Sequence, residues 1–188
     1  MKPGAQPPGG VPEQPTGAGG GKVLDVDGEP RNLDEARFRT VLGHFPSGLV
    51  VVAAAGAHGP QGFTCQSFMS VSLDPPLVAF APSRSSRTWE AIWGAGTFTV
   101  NVLGEDQEDL CRVFAGSGRS KFEGVGWRPA RSGAPLLEGA VGWLDCRLWS
   151  ASEAGDHWVV LGEVVDLGVV SGARPLVFFR GGYTGLRL

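Results

Sequence analysis

Two short stretches of this chain gather groups able to hold a polar, anionic small molecule. The first is Gly62-Phe63-Thr64-Cys65-Gln66-Ser67-Phe68, where Thr64, Gln66 and Ser67 could hydrogen-bond a planar ring alongside the local amides. The second is Ser83-Arg84-Ser85-Ser86-Arg87-Thr88, which packs four hydroxyls and two guanidiniums into six residues directly before an expected helix. A helix N-terminus favours anions through its free N–H groups and dipole. Arginine adds bidentate contacts to phosphate. On the residues alone, the first stretch also reads as a polar strand edge and the second as a solvated loop with a Ser or Thr helix cap.

Other residues stand out by type. Gly155-Asp156-His157 puts an imidazole directly after turn-forming residues. Lys121-Phe122 pairs a cation with an aromatic ring, and Tyr183 is the single tyrosine. Cys65, Cys111 and Cys146 are far apart, as are His44, His58 and His157. That spacing does not suit a structural zinc site. His44 and His58 read as a helix-end residue and a turn residue, and Cys65 as a small packing residue. There is no convincing Ser-His-Asp set, and Gly116-Ser117-Gly118-Arg119 does not complete a GxGxxG phosphate loop.

These groups must be positioned by a framework of strands. Asp34 and Glu35 suit the first turn of a helix with Asn32 as its cap, and Phe38, Val41, Leu42 and Phe45 fall on one face of it. Pro46 and Gly48 stop it. Buried strands are expected at 49–55, 77–81 and 97–103. Trp89, Ile92 and Trp93 mark a short helix, with both tryptophans expected in the core, and Leu110, Val113 and Phe114 mark another. Residues 142–151 and 158–170 read as a long hairpin closed by turn chemistry at 153–157. A last strand follows at 175–180. Many antiparallel strands with few helices imply a mainly β fold closed into a barrel.

The 188 residues suit one domain, or one domain with a tail. Residues 1–31 are set apart: to about residue 30 there are eight glycines, six prolines and no aromatic residue. Such a segment buries too little apolar surface to offset its ordering entropy, and it reads as a disordered leader to a domain at 32–188. The net charge of -3 argues against a nucleic-acid partner. No apolar run reaches about 18 residues, so no membrane helix is expected. The start lacks a signal-peptide core, and the odd cysteine count fits reduced thiols. A cytoplasmic protein is expected.

Taken in order, Gly62 to Phe68, Ser72-Leu73-Asp74-Pro75-Pro76-Leu77-Val78, Ser86-Arg87-Thr88-Trp89, Lys121-Phe122, Gly155-Asp156-His157 and Arg180-Gly181-Gly182-Tyr183 resemble the short-chain flavin reductase family. The resemblance spans residues 33 to 186. Phe98 to Leu103 looks like the family's central strand. Within the family, the wording around Cys65-Gln66-Ser67 and Phe178 to Gly185 is most similar to the branch serving a steroid-degradation hydroxylase. Cys65-Gln66 departs from the Ala-Asn or Val-Ser of many members, which leaves the role of Gln66 open.

The resemblance implies an FMN-binding split β-barrel, Greek-key-like, with a few short flanking helices. It implies reduction of FMN or FAD by NADH or NADPH, with reduced flavin supplied to a partner monooxygenase, and a homodimer. Flavin contacts would come from Gly62, Phe63, Thr64, Gln66, Ser67, Ser83, Arg84, Ser86, Arg87 and Thr88. Lys121 would reach the flavin phosphate and Phe122 would pack near the ring. His157 would serve the nicotinamide side, with Asp156 shaping the turn or fixing His157. Tyr183 would line the nicotinamide cleft or pack in the core or interface. Two other readings of the barrel are an electron-transfer flavoprotein without NAD(P)H turnover and a pyridoxamine-phosphate-oxidase-like enzyme.

Overall fold

The computed structural model describes residues 34–118, 120–170 and 172–186. The expected leader and Asn32 lie outside them. The chain divides into two units, Met1–Phe38 and Arg39–Leu188. Helix α1 (Glu35–Leu42) begins at Asp34, whose Oδ1 accepts from the Arg37 amide at 2.7 Å. Asp34 therefore does the capping work expected of Asn32. The apolar spacing of α1 is as expected, but none of its residues is buried. Periodicity selects the helix; it does not supply a surface to cover the apolar stripe.

Among the described residues, twelve strands run in chain order as β1 (Ser47–Gly48), β2 (Val50–Gly56), β3 (Gly59–Cys65), β4 (Met69–Leu73), β5 (Pro76–Phe80), β6 (Thr97–Val102), β7 (Trp127–Pro129), β8 (Pro135–Leu137), β9 (Gly142–Ala154), β10 (His157–Val169), β11 (Leu176–Phe179) and β12 (Gly182–Gly185). Helix α2 (Arg87–Ala95) lies between β5 and β6, and α3 (Glu108–Ala115) between β6 and β7. Seven strands form one antiparallel sheet in the order β3-β2-β6-β9-β10-β5-β4. Its outer strands, β3 and β4, are consecutive in the chain and joined by residues 66–68. The sheet curls back to that corner, as a split barrel does. A smaller sheet, β1-β11-β12, stands beside it.

The first polar stretch divides: Gly62 to Cys65 lie in a strand, in keeping with the strand-edge reading, and Gln66 to Phe68 form the connection to β4. Gly59 to Cys65 is a strand paired with β2 in register from Gly56↔Gly59 to Val50↔Cys65. Gly62 is required there by close packing: a Cβ on it would lie 2.7 Å from Phe114 Cε1. The β9–β10 hairpin turns through two residues, Gly155 and Asp156. Gly155 has φ +65, which suits glycine at the first loop position of a primed hairpin turn.

Strand β2 is the hub of the packing. Val50, Val52 and Ala54 face one core with Phe80, Phe98, Val100, Cys146, Val160 and the α2 residues Trp89 and Ile92. Leu49, Val51 and Ala53 face a second core with Leu103, Cys111, Phe114, Leu137 and Leu176. Alternation along a strand sends successive side chains to opposite faces, so burial on both faces produces the unbroken apolar run of β2. Trp89 joins the core as expected, but Trp93 does not: it is 59 % exposed. No helix among the described residues is long and apolar enough to cross a membrane.

Candidate functional site

A cleft of about 990 Å³ opens where β3, the β5–α2 connection, the end of α3 and the start of β10 converge. Of the residues singled out from sequence, Phe63, Thr64, Gln66, Ser67, Ser83, Ser86, Arg87, Thr88, Lys121 and His157 line it. These come from four separated segments, brought together by the hairpin pairing of β3 on β2 and the docking of α2 and α3 beside β3.

The hydroxyls divide by what already engages them. Thr64 Oγ1 donates to the Cys111 carbonyl at 2.6 Å, and Thr88 Oγ1 donates to the Gly62 carbonyl at 3.2 Å. A hydroxyl has one proton to give, so these two present only lone pairs beyond those bonds. Ser67 Oγ accepts from the Ala81 amide at 2.8 Å and ties the β3–β4 corner to the end of β5. Ser86 caps α2 by accepting from the Trp89 amide. Its own proton remains for the cleft.

One end of the cleft is cationic. Lys121 Nζ donates to the Phe114 carbonyl at 2.9 Å and the Gly62 carbonyl at 3.2 Å. An ammonium has three protons, so one points beyond these bonds. Burial, and then the positive charge of Arg87, push the Lys121 ammonium below the ordinary lysine value of 10.5. Arg87 Nη2 donates to the Ser117 carbonyl at 3.0 Å, across the cleft mouth. Two cations held together by backbone carbonyls, next to the N-terminus of α2, suit a phosphate.

The other end holds His157. Its backbone bridges Ser83, the Trp158 amide donates to the Pro82 carbonyl at 2.9 Å, and the Arg84 amide donates to the Asp156 carbonyl at 3.0 Å. The imidazole Nδ1 lies 2.8 Å from Asp156 Oδ1. With Nδ1–H donating to that carboxylate, Nε2 is the atom left for a ligand. The same bond from His157 holds the Asp156 carboxyl below its ordinary value.

Five sequence-selected residues do not line the cleft. Gly62 supports it from behind, through the carbonyl that Lys121 and Thr88 share. Phe122 packs edge-on against Phe114 and Trp127. The Asp156 carboxylate meets the His157 imidazole. Tyr183 packs against Phe178 and lies under the Arg112 guanidinium, 4.6 Å from its ring centroid. Arg84 turns away, toward Glu153 and the Trp158 ring. The bridge explains this: Ser83 faces the cleft, so its neighbour faces the other side. Cys65 lines the cleft as a buried thiol whose pKa is pushed up, chiefly by burial, which keeps it protonated and unreactive.

Sequence reasoning missed His58, Gln61 and the segment Phe114 to Gly118, all of which line the cleft. The tight β2–β3 turn carries His58 to the cleft, and Gly56 just before it approaches Ala91 of α2. The small residues Gly116-Ser117-Gly118 were visible, but their use depends on where α3 ends.

The comparisons with known proteins bear on this geometry. Residues 42–187 match the model of the flavin reductase like domain. The reductase subunit HsaB of a flavin-dependent monooxygenase from Rhodococcus jostii is 45% identical over 154 residues, covering 82% of this chain and 79% of that protein. An FMN reductase (NADH) from Agrobacterium fabrum is 38% identical over 154 residues, with 82% and 87% covered. Among solved structures, an NADH:FAD oxidoreductase of Streptomyces globisporus C-1027 in complex with NAD and FAD fragments is 34% identical. It superposes with a TM-score of 0.79, covering 88% of this chain and 96% of that one. With the family match spanning most of the chain and relatives above 30% identity covered over most of their length, this chain belongs to the flavin reductase-like domain family.

Proposed function

We propose that this protein is an NADH-dependent flavin reductase that reduces FMN or FAD and releases the reduced flavin to a partner monooxygenase. The observation that carries this reading is the polarity of one cleft, with Lys121 and Arg87 at one end and His157 at the other. The named activities of the relatives, an FMN reductase using NADH and an NADH:FAD oxidoreductase, support the same choice of cosubstrate.

When bound, flavin supplies the hydride acceptor and NADH the hydride, and the electrons move between their ring atoms. The protein's part is position and charge. Lys121, Arg87 and the Ser86 hydroxyl would hold the flavin phosphate. The amides of the β3–β4 corner and the exposed Gln66 carboxamide would hold the ring edge. His157, oriented by Asp156 and pinned by the bridge to Ser83, would place the nicotinamide through Nε2. Correct stacking is what such a reaction requires, with reacting atoms roughly 3–3.5 Å apart. No side-chain nucleophile is needed.

Two further readings go with this one. A homodimer would cover the apolar side chains that the barrel leaves outside, among them Leu73 at 91 % exposure and Val169 at 82 %. Leu73→Glu or Val169→Glu would then yield monomers in sedimentation velocity, whereas a monomeric native protein would defeat the assignment. A cytoplasmic site suits the three free, buried cysteines. The test of function is steady-state NADH oxidation with FMN and FAD supplied in turn. Flavin-dependent turnover well above the uncatalysed rate is expected. Tight flavin retention without NADH turnover would instead make the protein an electron-transfer flavoprotein.

A further inference from the structure

A second cavity, of about 340 Å³, lies on the far side of the wall that carries His157. It is lined by Arg84, Trp89, Glu90, Trp93 and Trp158. We propose that it is a slot for the adenine ring of a dinucleotide whose reactive ring occupies the main cleft, a proposal that rests on the reading of that cleft given above.

The wall between the two cavities is a single bridged pair of backbone segments. His157 faces the main cleft and Trp158 faces the slot; opposite them, Ser83 faces the cleft and Arg84 the slot. Successive Cα atoms are only about 3.8 Å apart, so the wall is crossed in one residue on either strand. FAD and NADH are their mononucleotides extended by one adenylate, joined through a pyrophosphate. A pyrophosphate crossing this wall would meet Arg84.

Arg84 is suited to that role. Its ion pair with Glu153 is 3.3 Å long, and the two side chains are 49% and 38% exposed. An exposed pair of this kind holds weakly, so the guanidinium can exchange a carboxylate for a pyrophosphate. Its present position, 5.9 Å from the Trp158 ring centroid, keeps it at the slot's rim.

The slot itself is aromatic. Trp89 is its buried floor, and the Trp158 and Trp93 rings lie 5.9 and 5.6 Å from it, centroid to centroid. Trp93 is held in a T-shaped contact while most of its surface meets solvent. Exposed aromatic surface next to a polar rim marks recognition more often than packing. Indole faces stack on purines without base-specific geometry. Glu90, exposed on the rim, offers an acceptor for an exocyclic amino group. The volume falls within the range of small-molecule pockets, roughly 300–1,000 Å³.

The experiment uses the full chain and AMP as the probe, followed by tryptophan fluorescence. AMP is expected to quench the native protein saturably, and Trp93→Ala to weaken its binding roughly tenfold. Trp158→Phe, which keeps a stacking face, should retain most of the affinity. Two ratios then locate the source of the adenosine. A Trp93→Ala change in the FAD-to-FMN dissociation-constant ratio assigns the slot to flavin. A change in the KM ratio of NADH to reduced nicotinamide mononucleotide assigns it to the reductant. FMN binding and mononucleotide turnover stay unchanged in either case. The proposal is overturned if AMP does not quench saturably, or if neither ratio moves in a folded Trp93→Ala protein. Absence of any NADH turnover in the native protein would count against the flavin reductase reading, whereas the AMP titration judges the slot by itself.

Discussion

Two polar clusters in this molecule serve opposite ends. In the first, Thr99, Asn101 and Asp145 are fully buried among strands and entirely engaged. Asn101 Nδ2 donates to the Val51 carbonyl at 3.2 Å and the Pro135 carbonyl at 3.3 Å, and its Oδ1 accepts from the Leu137 amide at 2.8 Å. Thr99 donates to the Pro135 carbonyl. Asp145 accepts from both the amide and the hydroxyl of Ser132. The cluster fastens residues 132–137 to the sheet. In the second, the cleft, Lys121 and Arg87 are held close although each repels the other, and donors remain beyond their backbone bonds. A buried polar group left without a partner costs free energy. Sealed groups therefore serve the fold, and groups left partly open at a cleft serve a ligand.

That contrast can be broken from either side. The largest effect is expected from Asn101→Leu, which strips partners from the Leu137 amide and two carbonyls. Unfolding free energy should fall by about 3 kcal/mol, measured by urea denaturation. A loss too small to detect would mean that the sealed cluster is not structural.

Next in size is Lys121→Ala. FMN affinity should fall roughly tenfold to a hundredfold, since a charge-assisted bond is lost, while the denaturation midpoint hardly changes. The sign of the pH dependence follows from the same side chain. Lys121 has its pKa lowered, so it gives up its proton before an ordinary lysine does as pH rises. FMN affinity should decline on the way up to 10.5, and Lys121→Arg should remove that decline. Stability runs the other way: the folded state disfavours the charged lysine, so this penalty is present at neutral pH and fades as pH rises to the unfolded value. Unchanged FMN affinity in Lys121→Ala would remove the cationic end from the site.

The smallest effect concerns His157→Ala. It should raise the KM for NADH roughly tenfold, the loss of one good hydrogen bond, and leave the FMN dissociation constant nearly unchanged. A flat KM would end the assignment of His157 to the nicotinamide.

Much of the framework could be read from the chain. The runs at β2, β5, β6, β9 and β10 are apolar and β-branched enough to declare themselves. The hairpin tip was visible in Gly155-Asp156. Strand β3 was legible only as a polar strand edge within Gly62 to Phe68, because Gly-Pro-Gln-Gly-Phe-Thr-Cys has no alternation; its full length follows from pairing with β2 and the close approach of Phe114 to Gly62. Helix α1 was legible as a helix but not as an exposed one. In the cleft, Arg87, Lys121 and His157 could be singled out by type and by resemblance. The direction of Arg84 could not, because it follows from a one-residue register across the Ser83↔His157 bridge. His58 was equally hidden, since only the turn between β2 and β3 brings it to the cleft.

Strand β2 has a consequence for how the barrel comes apart. Its odd residues are anchored in one core and its even residues in the other. Neither core can melt while the other keeps this strand, so the two form a single cooperative unit. The amides of Val51 to Ala54 should exchange with deuterated solvent only through global opening. A substitution that loosens either core should lower protection in both by the same amount.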